Sequence, residues 1–221
     1  MVTVYIVRHC EALGNLTNKF QGQIDHDITE TGAKQLEYLA KRFENEHIDA
    51  IYASPLIRAH KTALAVANVK GMSVELMDSL KEFHVGMFEN MPFERFKTEY
   101  ADYCERWRNS PWEFEAPNGE KMTEMYERIW QGVLDIVAKN SGKTVLVASH
   151  GCAIRNLLAR VMYNDIKMLA TVTIPKNTGV TKLIFNDDLS VTMEYCGDYS
   201  HLPAEGLVNV CGFEKTSGDK K

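Results

Sequence analysis

Six runs along the chain concentrate β-branched and aromatic residues: Val2 to Val7, Ala50 to Ala53, Met72 to Leu76, Thr144 to Ala148, Val180 to Phe185 and Ser190 to Tyr195. Val4 to Val7 and Val145 to Ala148 are unbroken apolar stretches, as expected of strands buried on both faces. Between these runs the period changes from two to 3.6. Apolar residues recur at Leu36, Leu39, Ala40 and Phe43, at Phe93, Phe96, Tyr100, Tyr103 and Trp107, at Met122, Met125, Ile129, Val133 and Ile136, and at Ile154, Leu157, Leu158 and Val161. Each set predicts a helix with one buried face. A fifth helix is predicted from Ser54, as a capping hydroxyl, and Pro55, at the first helical position, to about Asn68. Strands alternating with helices predict an α/β fold: a three-layer sandwich with a mostly parallel central sheet and helices on both faces.

The rhythm breaks between Phe83 and Met122. This segment is helical and rich in aromatics, and it reads as a cap inserted over the sheet edge rather than as a second domain. The expected organisation is therefore one domain over residues 1–221, with a helical cap at about 83–122 and a flexible tail at about 210–221. A chain of 221 residues buries about 70 to 75% of its unfolded surface, enough for a core without disulfides or structural metal. Its five cysteines, at 10, 104, 152, 196 and 211, include no CxxC pair and match neither a disulfide framework nor a zinc ribbon. A reducing, cytoplasmic setting follows as the expectation. Arg8, Glu11 and Lys19 interrupt the first apolar stretch, and no uncharged run approaches the roughly 18 residues of a membrane span, so no export signal and no membrane association are expected. With 25 Lys and Arg against 30 Asp and Glu, the net charge of −5 argues against nucleic acid as a partner.

Ligands of open parallel sheets bind beyond the carboxyl ends of the strands. Two core-type strands end in histidine there: His9, preceded by Arg8, and His150, followed by Gly151. Arg8 would repel a metal cation and no HExxH spacing exists. His9 to Glu11 imitates the HxE of zinc deaminases but lacks the PCxxC partner. Cationic groups around an imidazole suit an anion instead. A phosphate ester carries about −1.5 to −2 charges at pH 7 and three acceptor oxygens that guanidinium forks match. Arg58, one helical turn beyond Ser54, strengthens a phosphate-pocket reading; Ser54 itself is taken as a cap without chemistry. Residues 141–144 imitate a P-loop, but Val137 stands where its first glycine belongs and the run leads into a strand.

The segments Arg8 to Glu11 with Asn15, Gln21 and Gly22, Ile28 to Gly32, Ser54 to Ala59, Leu80 to Phe83, Pro117 to Glu120 and Ser149 to Gly151 together resemble the histidine phosphatase superfamily, in its phosphoglycerate mutase-like branch. The matches come in the family's order from residue 5 to about Asn177. The resemblance implies that His9 attacks phosphorus and becomes phosphohistidine. Arg8, Arg58 and His150 would hold the equatorial oxygens, Asn15 would add a neutral hydrogen bond, and Gln21, Gly22 and Gly151 would complete the substrate-binding set. Glu82 matches the family's general acid, with Glu89 as its rival and Glu11 as a structural residue. Neither metal nor cofactor is implied.

Cys10 stands where the family has glycine and Cys152 where it has small or apolar residues, which raises an oxidation-sensitive site as a hypothesis. Asn90 and Lys121 also depart from the family's pattern and put the cap's shape, not the phosphate chemistry, in question. Three functions remain: a phosphatase for a small phosphorylated metabolite, a phosphoglycerate mutase, and a phosphate-ligand binding protein without turnover. Arg95, Arg106 and Arg108 in the cap are offset by Glu113 and Glu115, which disfavours the polyanion of a mutase and favours the phosphatase. The stripe of Trp107, Trp112 and Phe114 reads as core. A homodimer is left open.

Overall fold

A computed structural model describes residues 1–203; the tail expected to be flexible lies outside them. In chain order the elements are β1 (Val2–Arg8), α1 (Leu13–Leu16), α2 (Glu30–Phe43), β2 (Ala50–Ala53), α3 (Ile57–Lys70), β3 (Val74–Leu76), α4 (Phe93–Glu99), α5 (Ala101–Asn109), α6 (Met122–Lys139), β4 (Thr144–Ser149), α7 (Gly151–Tyr163), β5 (Val180–Phe185) and β6 (Val191–Asp198). The six strands form one sheet of order β3-β2-β4-β1-β5-β6. The first four in that order run parallel, while β5 is antiparallel to both β1 and β6. β1 and β4 are neighbours in register, with Arg8 opposite Ser149, so the segments that end in His9 and His150 leave the sheet side by side.

Alternate residues of the buried strands feed two cores. Val4, Ile6, Val145 and Val147 pack with Ile129, Val133, Ile154 and Leu157 of α6 and α7. Tyr5, Val7, Ile51 and Leu146 pack with Leu39, Phe43, Ala63 and Val66 of α2 and α3. This is the expected three-layer sandwich, and it explains why β1 and β4 need apolar residues at every position.

Two local expectations change. The aromatic run from Phe93 to Trp107 is not one helix but two, because Tyr100 leaves helical geometry (φ −128°, ψ 48°) as its ring packs edge-on against Phe88 at 5.3 Å. Helix α3 begins at Ile57, with Leu56 rather than Ser54 at its cap. The carboxylate of Asp25, 32 residues away, accepts the Ile57 N–H at 2.6 Å, so a distant loop satisfies the helix start that Ser54 was expected to satisfy.

The segment between Phe83 and Met122 is stitched to the connection leaving the carboxyl end of β1. Phe20 N–H donates to Met91 O, Asn90 N–H to Phe20 O and Phe93 N–H to Asn18 O. Phe20 meets Phe93, Phe96 and Trp107 edge-on with centroids 4.6 to 5.5 Å apart, and Trp107 meets Phe114 at 4.9 Å. Phe114 and Trp107 thus read as core, continuous with the layer that α6 and α7 form on the sheet, at centroid spacings where edge-to-face pairs are favourable. Of its arginines, Arg95 pairs with Glu99 and Arg106 lies over the Tyr103 ring.

Candidate active site

Arg8, His9, Arg58 and His150 are all buried, with exposures of 4%, 2%, 0% and 0%. Arg8 ends β1, His9 follows it, and both are held from the segment that leads into β5. Arg8 Nη1 donates to Pro175 O at 2.6 Å, Asn177 Nδ2 donates to His9 O at 2.8 Å, and Thr178 N–H donates to Arg8 O. Arg58, on the first turn of α3, donates Nη1 to Ile24 O and Nη2 to Gly22 O at 2.8 and 2.7 Å, which pins the loop between α1 and α2. Gly22 has φ +50°, and a side chain there would place Cβ 2.5 Å from Glu89 Oε1, so glycine is required. Gly151 lets α7 approach Arg8: a Cβ would stand 3.4 Å from Arg8 Nε and 3.1 Å from Ile174 Cγ2.

The two histidine rings lie with centroids 5.2 Å apart. His9 Nδ1 is 2.6 Å from the Cys10 carbonyl oxygen, which can only accept, so Nδ1 carries the proton and Nε2 keeps its lone pair. Burial, then the charges of Arg58 and Arg8, hold the His9 pKa well below its ordinary value; burial and Arg58 do the same to His150. Arg58 is itself pushed down to about 10 by burial, against the opposing pull of Glu82, Asp25 and Glu89.

One nitrogen of each of three of these side chains has no partner among the described residues: Arg8 Nε, Arg58 Nε and His150 Nδ1. A buried donor left unmade costs about 1 to 3 kcal/mol, so two charged guanidinium N–H groups beside an uncharged imidazole nitrogen, all three unpaired, suit an anion.

Glu82 follows the 3₁₀ turn at Asp78–Leu80, and its carboxylate sits on the start of α7. Oε2 accepts the Cys152 N–H, and Oε1 accepts those of Ala153 and Phe83, all at 2.9 to 3.1 Å. Two otherwise orphaned helix donors are satisfied, and the carboxylate lies one residue from the His150–Gly151 pair. Arg128 holds the approach, donating to Ser79 O and Lys81 O while paired with Glu120. Glu89 lies across the loop from it, accepting Gln23 N–H at 2.9 Å. Asn15 Oδ1 accepts Ala12 N–H at 3.0 Å, which fixes α1. The Gln21 side chain lies against Gly14, and its buried Oε1 has no partner among the described residues. Glu11 accepts the Thr29 hydroxyl and its N–H donates to Gln35 Oε1.

Sequence reasoning missed Pro175, Asn177 and Thr178 behind Arg8 and His9, and Gln23, Asp25 and Arg128 around Arg58 and Glu82. They act through backbone contacts across long stretches of chain, for which no local motif exists. The thiols are also clarified. Cys10 Sγ lies toward Gly32 of α2, with its pKa pushed up to about 12 by burial, and Cys152 Sγ lies 3.9 Å from Met122 Sδ, its pKa also raised by burial. Neither forms the exposed thiolate that peroxide attacks.

The lowered histidine pKa values give stability a signed pH dependence. Unfolded histidine takes up its proton near pH 6.5, whereas buried His9 and His150 resist it, so the unfolded state binds more protons as pH falls below about 6.5. In phosphate-free buffer each should remove about 1.4 kcal/mol of stability per pH unit below that point, until the folded group itself protonates. Denaturant unfolding at about pH 7 and pH 5 should show His150→Gln losing less stability than the parent; equal losses would contradict the assignment.

A family model described as the histidine phosphatase superfamily (branch 1) matches residues 4–196. Phosphoserine phosphatase 1 of Hydrogenobacter thermophilus is 35% identical over 167 residues, covering 75% of this chain and 79% of that protein. A "Probable phosphoglycerate mutase GpmB" of Yersinia pestis is 32% identical over 162 residues, covering 73% and 75%. Among solved structures, a phosphoserine phosphatase mutant from Entamoeba histolytica in complex with phosphoserine superposes with a TM-score of 0.78 at 26% identity, covering 92% of this chain and 100% of that one.

Proposed function

Because the chain belongs to the histidine phosphatase superfamily, branch 1, a family of phosphatases and phosphoglycerate mutases, we propose that it hydrolyses a small phosphomonoester through a phosphohistidine on His9. The observation that carries this reading is the trio of partnerless buried nitrogens on Arg8, Arg58 and His150 around a histidine whose Nε2 lone pair is free. In the first step Nε2 forms a bond to phosphorus as the ester P–O bond breaks, and Glu82 delivers a proton to the departing alkoxide. In the second, Glu82 takes a proton from water, whose oxygen displaces His9 from phosphorus and frees inorganic phosphate. Arg8, Arg58 and His150 hold the equatorial oxygens throughout, with Asn15 as a neutral donor. Asn15, Gln21, Gly22 and Gly151 complete the pocket wall.

Glu82 is preferred to Glu89 as the acid because it stands beside the His150–Gly151 junction and exerts the larger pull on Arg58. Hydrolysis is preferred to the mutase alternative because Arg95 and Arg106 are engaged within the cap and Glu113 and Glu115 share it. The phosphoserine bound to the Entamoeba relative makes a small phosphorylated hydroxy acid the first substrate to try.

The test is hydrolysis of an aryl phosphate and of phosphoserine in excess chelator, with phosphoglycerate interconversion assayed alongside. Chelator-resistant hydrolysis without interconversion is expected. Interconversion with negligible hydrolysis would replace the proposal with the mutase reading.

A further inference from the structure

Ser54, expected to be a helix cap, is fully buried and ends on His150 instead. Its Oγ lies 2.7 Å from His150 Nε2 and accepts the Leu56 N–H at 3.3 Å. Proline at position 55 has no N–H of its own, so Leu56 supplies the nearest backbone donor. The hydroxyl keeps a second lone pair, but were it to accept from His150 Nε2 as well, its own buried proton would have no acceptor among the described residues; donating to His150 Nε2 satisfies it. Burial and the neighbouring arginines keep His150 uncharged near neutral pH, so its ring carries one proton only. If Nε2 accepts, that proton must sit on Nδ1, the His150 nitrogen without a partner among the described residues. The opposite tautomer would turn a bare Nδ1 lone pair on a phosphate oxygen.

We propose that Ser54 is a positioning residue whose hydroxyl donates to His150 Nε2 and so holds the His150 Nδ1–H as a donor for the phosphoryl oxygens. The two active-site histidines are thereby set in opposite states by opposite partners. A carbonyl, which only accepts, leaves His9 with a free lone pair; a hydroxyl that donates leaves His150 with a free N–H. The inference rests on the phosphate-pocket reading of the site for its purpose, but not for its test.

The test is the ring-nitrogen spectrum of ¹⁵N-histidine-labelled protein without ligand at about pH 7.5, with the His150 signals identified by their loss in His150→Gln. The parent is expected to show a protonated Nδ1 and a bare Nε2 on His150. In Ser54→Ala the Nε2–H form should gain population, and binding of inorganic phosphate should weaken by about tenfold, the scale of one hydrogen bond. Protonation of Nε2 in the parent would overturn the proposal whether or not Ser54→Ala folds. An unchanged tautomer with unchanged phosphate affinity in Ser54→Ala would overturn it equally. The expected tautomer in a parent that binds no phosphate would sustain the Ser54 contact and defeat the phosphate-pocket reading instead.

Discussion

Replacing His9 with alanine is expected to abolish turnover and leave the fold standing. The side chain supplies the one group in the pocket with a free lone pair aligned by a fixed hydrogen bond, and alanine removes it without disturbing the backbone contacts from Ser149, Asn177 and Thr178 that hold this position. Loss of a nucleophile in a prepared site leaves only the electrostatic residue of catalysis, so the rate should drop by at least about 10⁴. The folded state should survive, because the buried neutral ring contributes no charge and the strand it terminates is paired on both sides. Steady-state hydrolysis of an aryl phosphate, together with melting curves, checks both parts. Base-stable labelling of the parent by a radioactive substrate, absent in His9→Ala, would identify the covalent intermediate; substantial activity in the variant would end the phosphohistidine mechanism.

The second large effect is expected from Glu82→Gln, and its size should depend on the leaving group. An alkyl phosphate must receive a proton as its P–O bond breaks, so the variant should lose about 10² to 10⁴ in rate on phosphoserine. An aryl phosphate expels a stable phenolate and should lose far less in kcat/KM, which reports only the first step, whereas the second step, common to both substrates, is slowed alike. Gln keeps one acceptor oxygen but turns an amide NH₂ toward one or more of the N–H groups of Cys152, Ala153 and Phe83, so about 1 to 2 kcal/mol of stability should go as well. Glu89→Gln is the control, expected to spare the rate on both substrates. A selective loss on phosphoserine in Glu89→Gln, with Glu82→Gln unaffected, would transfer the acid role to Glu89.

The chain discloses its sheet more readily than its site. β1 and β4 are legible because burial on both faces demands apolar residues throughout, a local property of composition. The break at Tyr100 is not, since it is set by the ring of Phe88, twelve residues earlier in the chain. His9, Arg8 and His150 could be suspected from their place at the ends of core strands. Glu82 could be named only through a family pattern, because what defines it is the start of a helix some seventy residues further on. Ser54 is only half legible for the same reason: a serine before proline satisfies the rule for a helix start and its Oγ does accept the Leu56 N–H, but its shorter contact is with His150, 96 residues away. Local rules describe what the backbone needs, and the pocket is built from what distant segments lack.

The position of β1 carries a cost for the nascent chain. It is made before every other strand, yet it lies between β4 and β5, with Thr3 opposite Thr144 and Val2 opposite Phe185. At about 5 to 20 residues per second, roughly seven to thirty seconds of synthesis separate β1 from β4. Throughout that interval Val4, Ile6 and Val7 belong to an unpaired, strongly β-forming segment, while α2, β2, α3 and β3 can already assemble beside it. The strand that presents Arg8 and His9 therefore waits longest for its first strand partner, and it is the point at which a chaperone or a second unfinished chain would first take hold.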